Sequence, residues 1–239
     1  MPLTARRATL QSLALVLIFY GYLYGNAALR GNVSLEEVNV VLSAFVTGAL
    51  MLLITGLLVR RDADWKDSLQ LRPMPPVQAI AFGALGVVLS YAAGALAIGL
   101  FKLLGAQSAQ MLAQKLAWAS KFSGLPMYWV LPLSIFVGLW EEIVFRGFLL
   151  NRLKVTFRGD ARIAVVVTGV LFGIGHGYQG VQGIVQTAAV GIALGAVTVW
   201  RKSLWPAVIA HLSIDTIGLV AIKVLKPLAD DLLKHRLSG

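Results

Sequence analysis

Cysteine is absent from the 239 residues, and with it go disulfides, thiolate-bound metals, Cys nucleophiles and lipid attachment through Cys within this chain. Charge is scarce as well. Asp, Glu, Lys and Arg make up 13% of the residues, against roughly 25% in a soluble domain. Acidic side chains number only 11, and histidine occurs three times. No internal repeat, low-complexity tract or domain-separating linker is visible. What fills the space is apolar: 58% of the chain is hydrophobic and the mean hydropathy is +0.78. Several apolar runs exceed the ~18 to 20 residues that cross a bilayer. A soluble enzyme, a disordered tail and a secreted module are excluded. The expected class is an all-α, polytopic transmembrane helical bundle of seven to eight membrane helices.

The 21 Lys and Arg give a net charge of +10, which in a soluble protein would point to nucleic acid. Here the basic residues cluster in short loops between apolar runs, where they set orientation and meet anionic head groups. The expected partner is therefore membrane lipid, not nucleic acid. Seven spans are predicted: Ala8 to Leu29, Val38 to Val59, Val77 to Leu104, Leu125 to Leu150, Ile163 to Gly177, Val181 to Trp200 and Ser203 to Leu225. The first follows Arg6 and Arg7 as a signal peptide would, but its length and the lack of a small-residue cleavage site favour a retained span. A short surface helix is expected around Trp65 to Leu71, and an interfacial amphipathic helix over Gly105 to Gly124, which carries Lys115, Trp118, Lys121 and Phe122. The whole forms one membrane domain: 1–124 as scaffold, 125–225 as the chemically active core and 226–239 as a polar tail, where His235 reads as solvated.

Loop by loop, Arg6, Arg7, Arg60, Arg61, Lys66, Arg72, Arg152, Lys154, Arg158, Arg162, Arg201 and Lys202 fall on one side, and only Arg30, Lys102, Lys115 and Lys121 on the other. The excess places the N-terminus in the cytoplasm of a multi-pass cell-membrane protein. An odd span count would carry Lys223, Lys226, Lys234 and Arg236 to the outside. Either one segment fails to cross or an eighth crossing is hidden.

Ionisable groups inside a bilayer cost several kcal/mol unless they face a cavity or a partner, so each is a candidate functional residue. Three groups stand out, all in the C-terminal half: Glu141, Glu142 and Arg146; His176; and His211 with Asp215. Residues four apart share a helix face. Glu142 is therefore set over Arg146, Phe172 over His176, and His211 over Asp215. Glu142 and Arg146 read as a structural ion pair. Glu141 diverges from that face and has no partner one turn on, and such a carboxyl in a low-dielectric medium suits general-base work near neutrality. Asp215 reads as an orienting or hydrogen-bonding group for His211. Glycines 169, 173, 175, 177, 191 and 195 read as close helix packing. At 1.5 Å per residue, Glu141 lies roughly 14 Å from Leu150, His211 roughly 15 Å from Arg201, and His176 about 17 Å in if its helix enters near Val165. All three would meet near the midplane of a core about 30 Å thick.

A free carboxylate with two histidines suits water activation for hydrolysis: Glu141 takes the proton, a histidine orients the water or donates to the leaving amine, and a further donor holds the oxyanion. Two histidines and a carboxylate also form a zinc ligand set, here Glu141, His176 and His211, but the local H-E-x-x-H spacing is missing. Intramembrane Glu, His and Arg equally mark ion pathways, so a proton-coupled transporter is an alternative, though no inverted repeat supports it. A non-catalytic membrane immunity or partner protein of the same fold is another.

In these residues the chain resembles the CPBP (Abi) family of intramembrane proteases, which contains the type II CAAX prenyl endopeptidases. The family's E-E-x-x-x-R matches Glu141, Glu142 and Arg146; its F-x-x-x-H matches Phe172 and His176; its H-x-x-x-N/D matches His211 and Asp215. Order and spacing agree over about 100 residues, from Leu125 to Leu225. The resemblance implies a helical fold, typically of eight helices, around a conical cavity open to the cytosol and laterally to lipid. It implies an endopeptidase acting on a peptide or a lipid-anchored, prenylated protein. Glu141 would then activate water, His176 would assist that water, and His211 and Asp215 would surround the oxyanion. Many members carry Asn at the last position, and an ionised Asp cannot donate to an oxyanion as an amide does. The expected mechanism uses no cofactor, with zinc as the alternative.

Overall fold

In lipid every backbone N–H and C=O must find its partner inside the protein, so apolar runs of this length become helices. A computed structural model describes residues 3–30, 37–103, 121–122 and 124–237, with side chains over 3–25, 41–103, 121–122 and 124–224. The helices are α1 (Ala5–Arg30), α2 (Glu37–Val59), α3 (Trp65–Ser68), α4 (Pro76–Leu103) and α5 (Met127–Glu142). A π-helix (Ile143–Leu149) joins α5 without a break to α6 (Leu150–Thr156). Then come α7 (Ala161–Gly175), a 3₁₀ turn (Gly177–Gln179), α8 (Gly180–Arg201) and α9 (Trp205–Leu237). The described residues hold no strand, so the chain is an all-α, multi-pass membrane bundle.

All seven expected spans fall on helices. Among the described residues, five helical stretches are long and apolar enough to cross a membrane: Ala5–Gly25, Val41–Val59, Pro76–Leu103, Gly177–Arg201 and Trp205–Val224. The expected fifth span is shorter. The 15 residues of α7 rise about 22 Å, less than a bilayer core of about 30 Å. The helix starts at Ala161, where Asp160 accepts hydrogen bonds from the Arg162 and Ile163 amides, four residues before the expected entry point. The expected surface helix is present as the single turn of α3, capped by Asp64. Most of the expected interfacial helix, 104–120 and 123, lies outside the described residues, as does the side chain of His235.

Burial runs inside out compared with a water-soluble fold. Leu17 is 71%, Val77 78% and Leu96 65% exposed on the outer surface, where lipid tails would cover them. The interior mixes apolar residues from both halves, among them Leu15, Phe19, Met51, Trp140, Val144, Phe148 and Phe172. Small residues let the helices approach. A methyl group at Gly173 would lie 2.5 Å from the Ile184 carbonyl oxygen, and one at Gly138 would lie 3.0 Å from the Leu212 amide nitrogen. This is the close packing expected of small residues at membrane helix interfaces.

At one end of the bundle the loops with most of the basic residues are tied together. Asp62 accepts from both Arg7 and Arg152, and Gln11 accepts from Arg152 at 2.8 Å. The segment after α3 is fixed there too: the Leu204 amide donates to the Gln70 carbonyl at 2.9 Å, and the Ser203 hydroxyl to that of Arg72 at 3.0 Å.

Candidate active site

The site grows from the α5 to π-helix junction. Gly147 has no side chain, and a methyl there would lie 2.8 Å from the Leu69 carbonyl oxygen. The Leu69–Gln70 segment therefore packs directly on the π-helix, and the Gln70 side-chain amide donates to the Arg146 carbonyl at 3.0 Å. π-Turns are rare and concentrate at functional positions. This one carries Arg146 inward, where the side chain is 1% exposed.

Arg146 Nη1 donates to Glu142 Oε1 at 2.7 Å. The same oxygen receives His211 Nδ1 at 2.8 Å. A carboxylate only accepts, so Nδ1 carries the proton and Nε2 faces the other way. There Nε2 stands 3.6 Å from Glu141 Oε2 and 3.6 Å from Asp215 Oδ2. Both gaps are beyond a direct hydrogen bond and within what a bridging water spans. Glu141 Oε2 is buried and has no hydrogen-bond partner among the described residues. Asp215 is the more open of the two, its side chain 30% exposed against 11% for Glu141.

Four of the charged groups singled out in the sequence thus gather around one imidazole, and Glu142 is the shared acceptor between Arg146 and His211. The helical spacing suggested Asp215 as the group that orients His211. In the structure Glu142 occupies that position, because its carboxylate faces Nδ1 from the neighbouring helix while Asp215 stands off Nε2. His176 joins through an aromatic ring and not through a carboxylate. It closes α7, and its Nδ1 donates to the Phe172 carbonyl at 2.9 Å, which leaves Nε2 as the acceptor nitrogen. The Phe172 ring lies 4.7 Å from the His176 ring and 5.7 Å from that of His211, edge-on to the latter. The Arg146 guanidinium stacks on the same phenyl ring at 4.2 Å. Phe172 is therefore the spacer that fixes both imidazoles and the cation.

Two tyrosines near the site were not singled out in the sequence. Tyr178, two residues after His176, has its ring 5.6 Å from the imidazole and lies within electrostatic reach of Glu141 and Asp215. Its proximity to a motif histidine was the one available signal. Tyr91 of α4 lies within electrostatic reach of Asp215, and nothing in its local sequence marks it. The zinc alternative needs Glu141, His176 and His211 around one ion. No group of three His, Asp or Glu side chains among the described residues is placed to hold a metal, so the donors as arranged do not fit one.

Residues 123–217 match the family model described as type II CAAX prenyl endopeptidase Rce1-like. Over this stretch the chain is similar to that family. The match encloses all three motifs and bears out the resemblance carried by Glu141, Glu142, Arg146, Phe172, His176, His211 and Asp215. The Rce1-like segment is the part that holds the buried charges, and the family is one of proteases. Neither curated proteins nor solved structures gave a match. Helices α1 to α4 lie outside the Rce1-like segment.

Proposed function

We propose that this protein is an intramembrane endopeptidase that cleaves a peptide bond in a membrane-associated or lipid-anchored protein near the cytoplasmic face, using water activated by Glu141. One observation carries the reading: Glu141 Oε2 is buried without a partner, 3.6 Å across from His211 Nε2. A water between them would meet a base on one side and an imidazole on the other. Glu141 takes a proton from that water as its oxygen attacks the scissile carbonyl carbon. The tetrahedral oxyanion then forms beside His211, which is oriented by Glu142 and Arg146 and donates to it from Nε2 as the doubly protonated imidazolium. Collapse breaks the C–N bond, and the proton held by Glu141 passes to the leaving amine. His176 orients the water from the α7 end. Asp215 borders the open side of the site, where the peptide would enter. No step runs through a metal.

The basic loops gathered at one end support a cytoplasmic N-terminus. The test compares membrane peptides from cells expressing the wild-type protein or Glu141→Gln. Peptides cleaved only in the wild type are expected, and purified protein should cleave them equally well with and without chelator. Identical peptide sets would overturn the hydrolase reading, and chelator-sensitive cleavage would overturn the metal-free one.

A further inference from the structure

The last carbonyls of a helix have no partner within it and must be satisfied from outside. In lipid the requirement is stricter, since water is scarce. Helix α7 ends one residue before His176, where backbone N–H groups meet the Gly173 and Ile174 carbonyls and side chains add further donors to its last two turns. Phe172 accepts from His176 itself. Leu171 accepts from the Tyr20 hydroxyl, and Ile174 from the Tyr24 hydroxyl at 2.8 Å. Both tyrosines belong to α1, outside the Rce1-like segment.

The glycines on either side of His176 make this approach possible. A methyl on Gly175 would lie 3.2 Å from the Phe19 ring, and one on Gly177 would lie 2.9 Å from the Tyr24 hydroxyl oxygen. The α1 rings also form a continuous stack. Tyr20 and Tyr24 are parallel at 6.1 Å, and Phe19 packs edge-on against Phe145 at 5.6 Å. Phe145 in turn packs against Phe172 at 5.1 Å. The first helix therefore holds the backbone around His176 through two hydroxyls and braces its neighbour Phe172 through rings.

We infer that Tyr20 and Tyr24 of α1 are positioning residues for His176, so that the N-terminal helix takes part in the reaction by fixing the imidazole that orients the water. The inference rests on the hydrolase reading for its consequence and not for its geometry. Without the two hydroxyls the Leu171 and Ile174 carbonyls lose the donors that tie them to α1, the α7 end loosens, and the Phe172 carbonyl no longer selects one tautomer of His176.

The experiment uses the full-length protein and the variant Y20F/Y24F, which keeps both rings and removes only the hydroxyls. The expected result is a kcat lower by about tenfold or more with KM within about twofold, the pattern of a misplaced group at an otherwise intact binding site. Nitrogen-15 NMR of histidine-labelled protein, with only three histidines to assign, should show His176 changing from an Nδ1-protonated form to a mixture. A thermal cycle tests the contact without any activity. Gly177→Ala should lower Tm in the wild type and lower it less in the Tyr24→Phe background, where the obstructing oxygen is gone. An unchanged kcat with an unchanged His176 spectrum would overturn the inference, as would equal Tm losses in the two backgrounds. If Glu141→Gln still cleaves, the hydrolase reading fails alone, and the spectrum and the thermal cycle still decide the role of the tyrosines.

Discussion

Between α1–α4 and α5–α9 the described spans differ in where they keep their polar atoms. The first group buries single hydroxyls, Ser12, Thr55 and Ser90, and confines its ion pairs to the ends of helices, as with Arg7 and Asp62. The second buries Glu141, Glu142, Arg146 and His211 together, each at 9% exposure or less. Charge at that depth costs several kcal/mol per group unless it is partnered. A fold that needed only to span lipid would have the first pattern throughout. The contrast therefore locates the chemistry, and it separates two adjacent glutamates: Glu142 accepts from both Arg146 and His211 through Oε1, while Glu141 Oε2 faces His211 Nε2 across 3.6 Å without a hydrogen bond.

That separation is the largest effect to test. Glu141→Gln should lower cleavage by about 10²- to 10⁴-fold, the range for removal of a general base, while Tm stays unchanged or rises, since a buried carboxyl without a partner is replaced by a neutral amide. Cleavage assays and thermal unfolding in detergent would check both. Arg146→Met should do the reverse in kind. It leaves the Glu142 carboxylate buried with His211 alone, and loss of one member of a buried pair costs about 3–5 kcal/mol, seen as a large fall in Tm. If Glu141→Gln proved as destabilising as Arg146→Met, the two glutamates would share one structural role.

The sequence reveals the site better than it reveals the means of holding it. Spacing of four put Glu142 with Arg146, and that pair is present at 2.7 Å, because neighbours on one helix face are fixed by local geometry. The same rule paired His211 with Asp215. The distance came out at 3.6 Å, because the partner that decides an imidazole's orientation sits on another helix, and periodicity carries no information across helices. The π-turn and the Gln70 contact behind it were invisible for the same reason. Helix α7 has the 15 residues of its predicted span but lies two residues earlier in the chain, because the Asp160 cap sets its start. Nothing in the sequence of α1 marks its tyrosines, since their acceptors are carbonyls far along the chain.

A smaller effect sharpens the picture from the packing side. Gly191 of α8 faces Gly169 of α7, and a methyl there would lie 3.0 Å from the Gly169 Cα and 3.2 Å from Arg146 Nη2. Gly191→Ala should cost about 1–3 kcal/mol, the usual range for overpacking, and should reduce cleavage by displacing Arg146. Tm and kcat would fall together. Cleavage preserved alongside a lowered Tm would show that the guanidinium can shift without disturbing His211.

The smallest effect belongs to the surface. Asp67 and Arg72 pair at 2.7 Å with both side chains about half exposed, and the hydrogen bond from Arg72 holds the Asp67 carboxyl below the usual carboxylate range. A group whose value falls on folding adds stability above its unfolded value, and that stability is lost as the pH drops through the lowered one. Any difference in Tm between wild type and Asp67→Asn should therefore be small at pH 7, smaller in high salt, and gone in acid. Thermal unfolding at two pH values and two salt concentrations would measure it. The neighbouring Gln70 holds the π-helix, so an Asp67→Asn effect approaching that of Arg146→Met would mean that the exposed turn of α3, and not the buried contacts of Leu69 and Gln70, sets the geometry of the charged cluster.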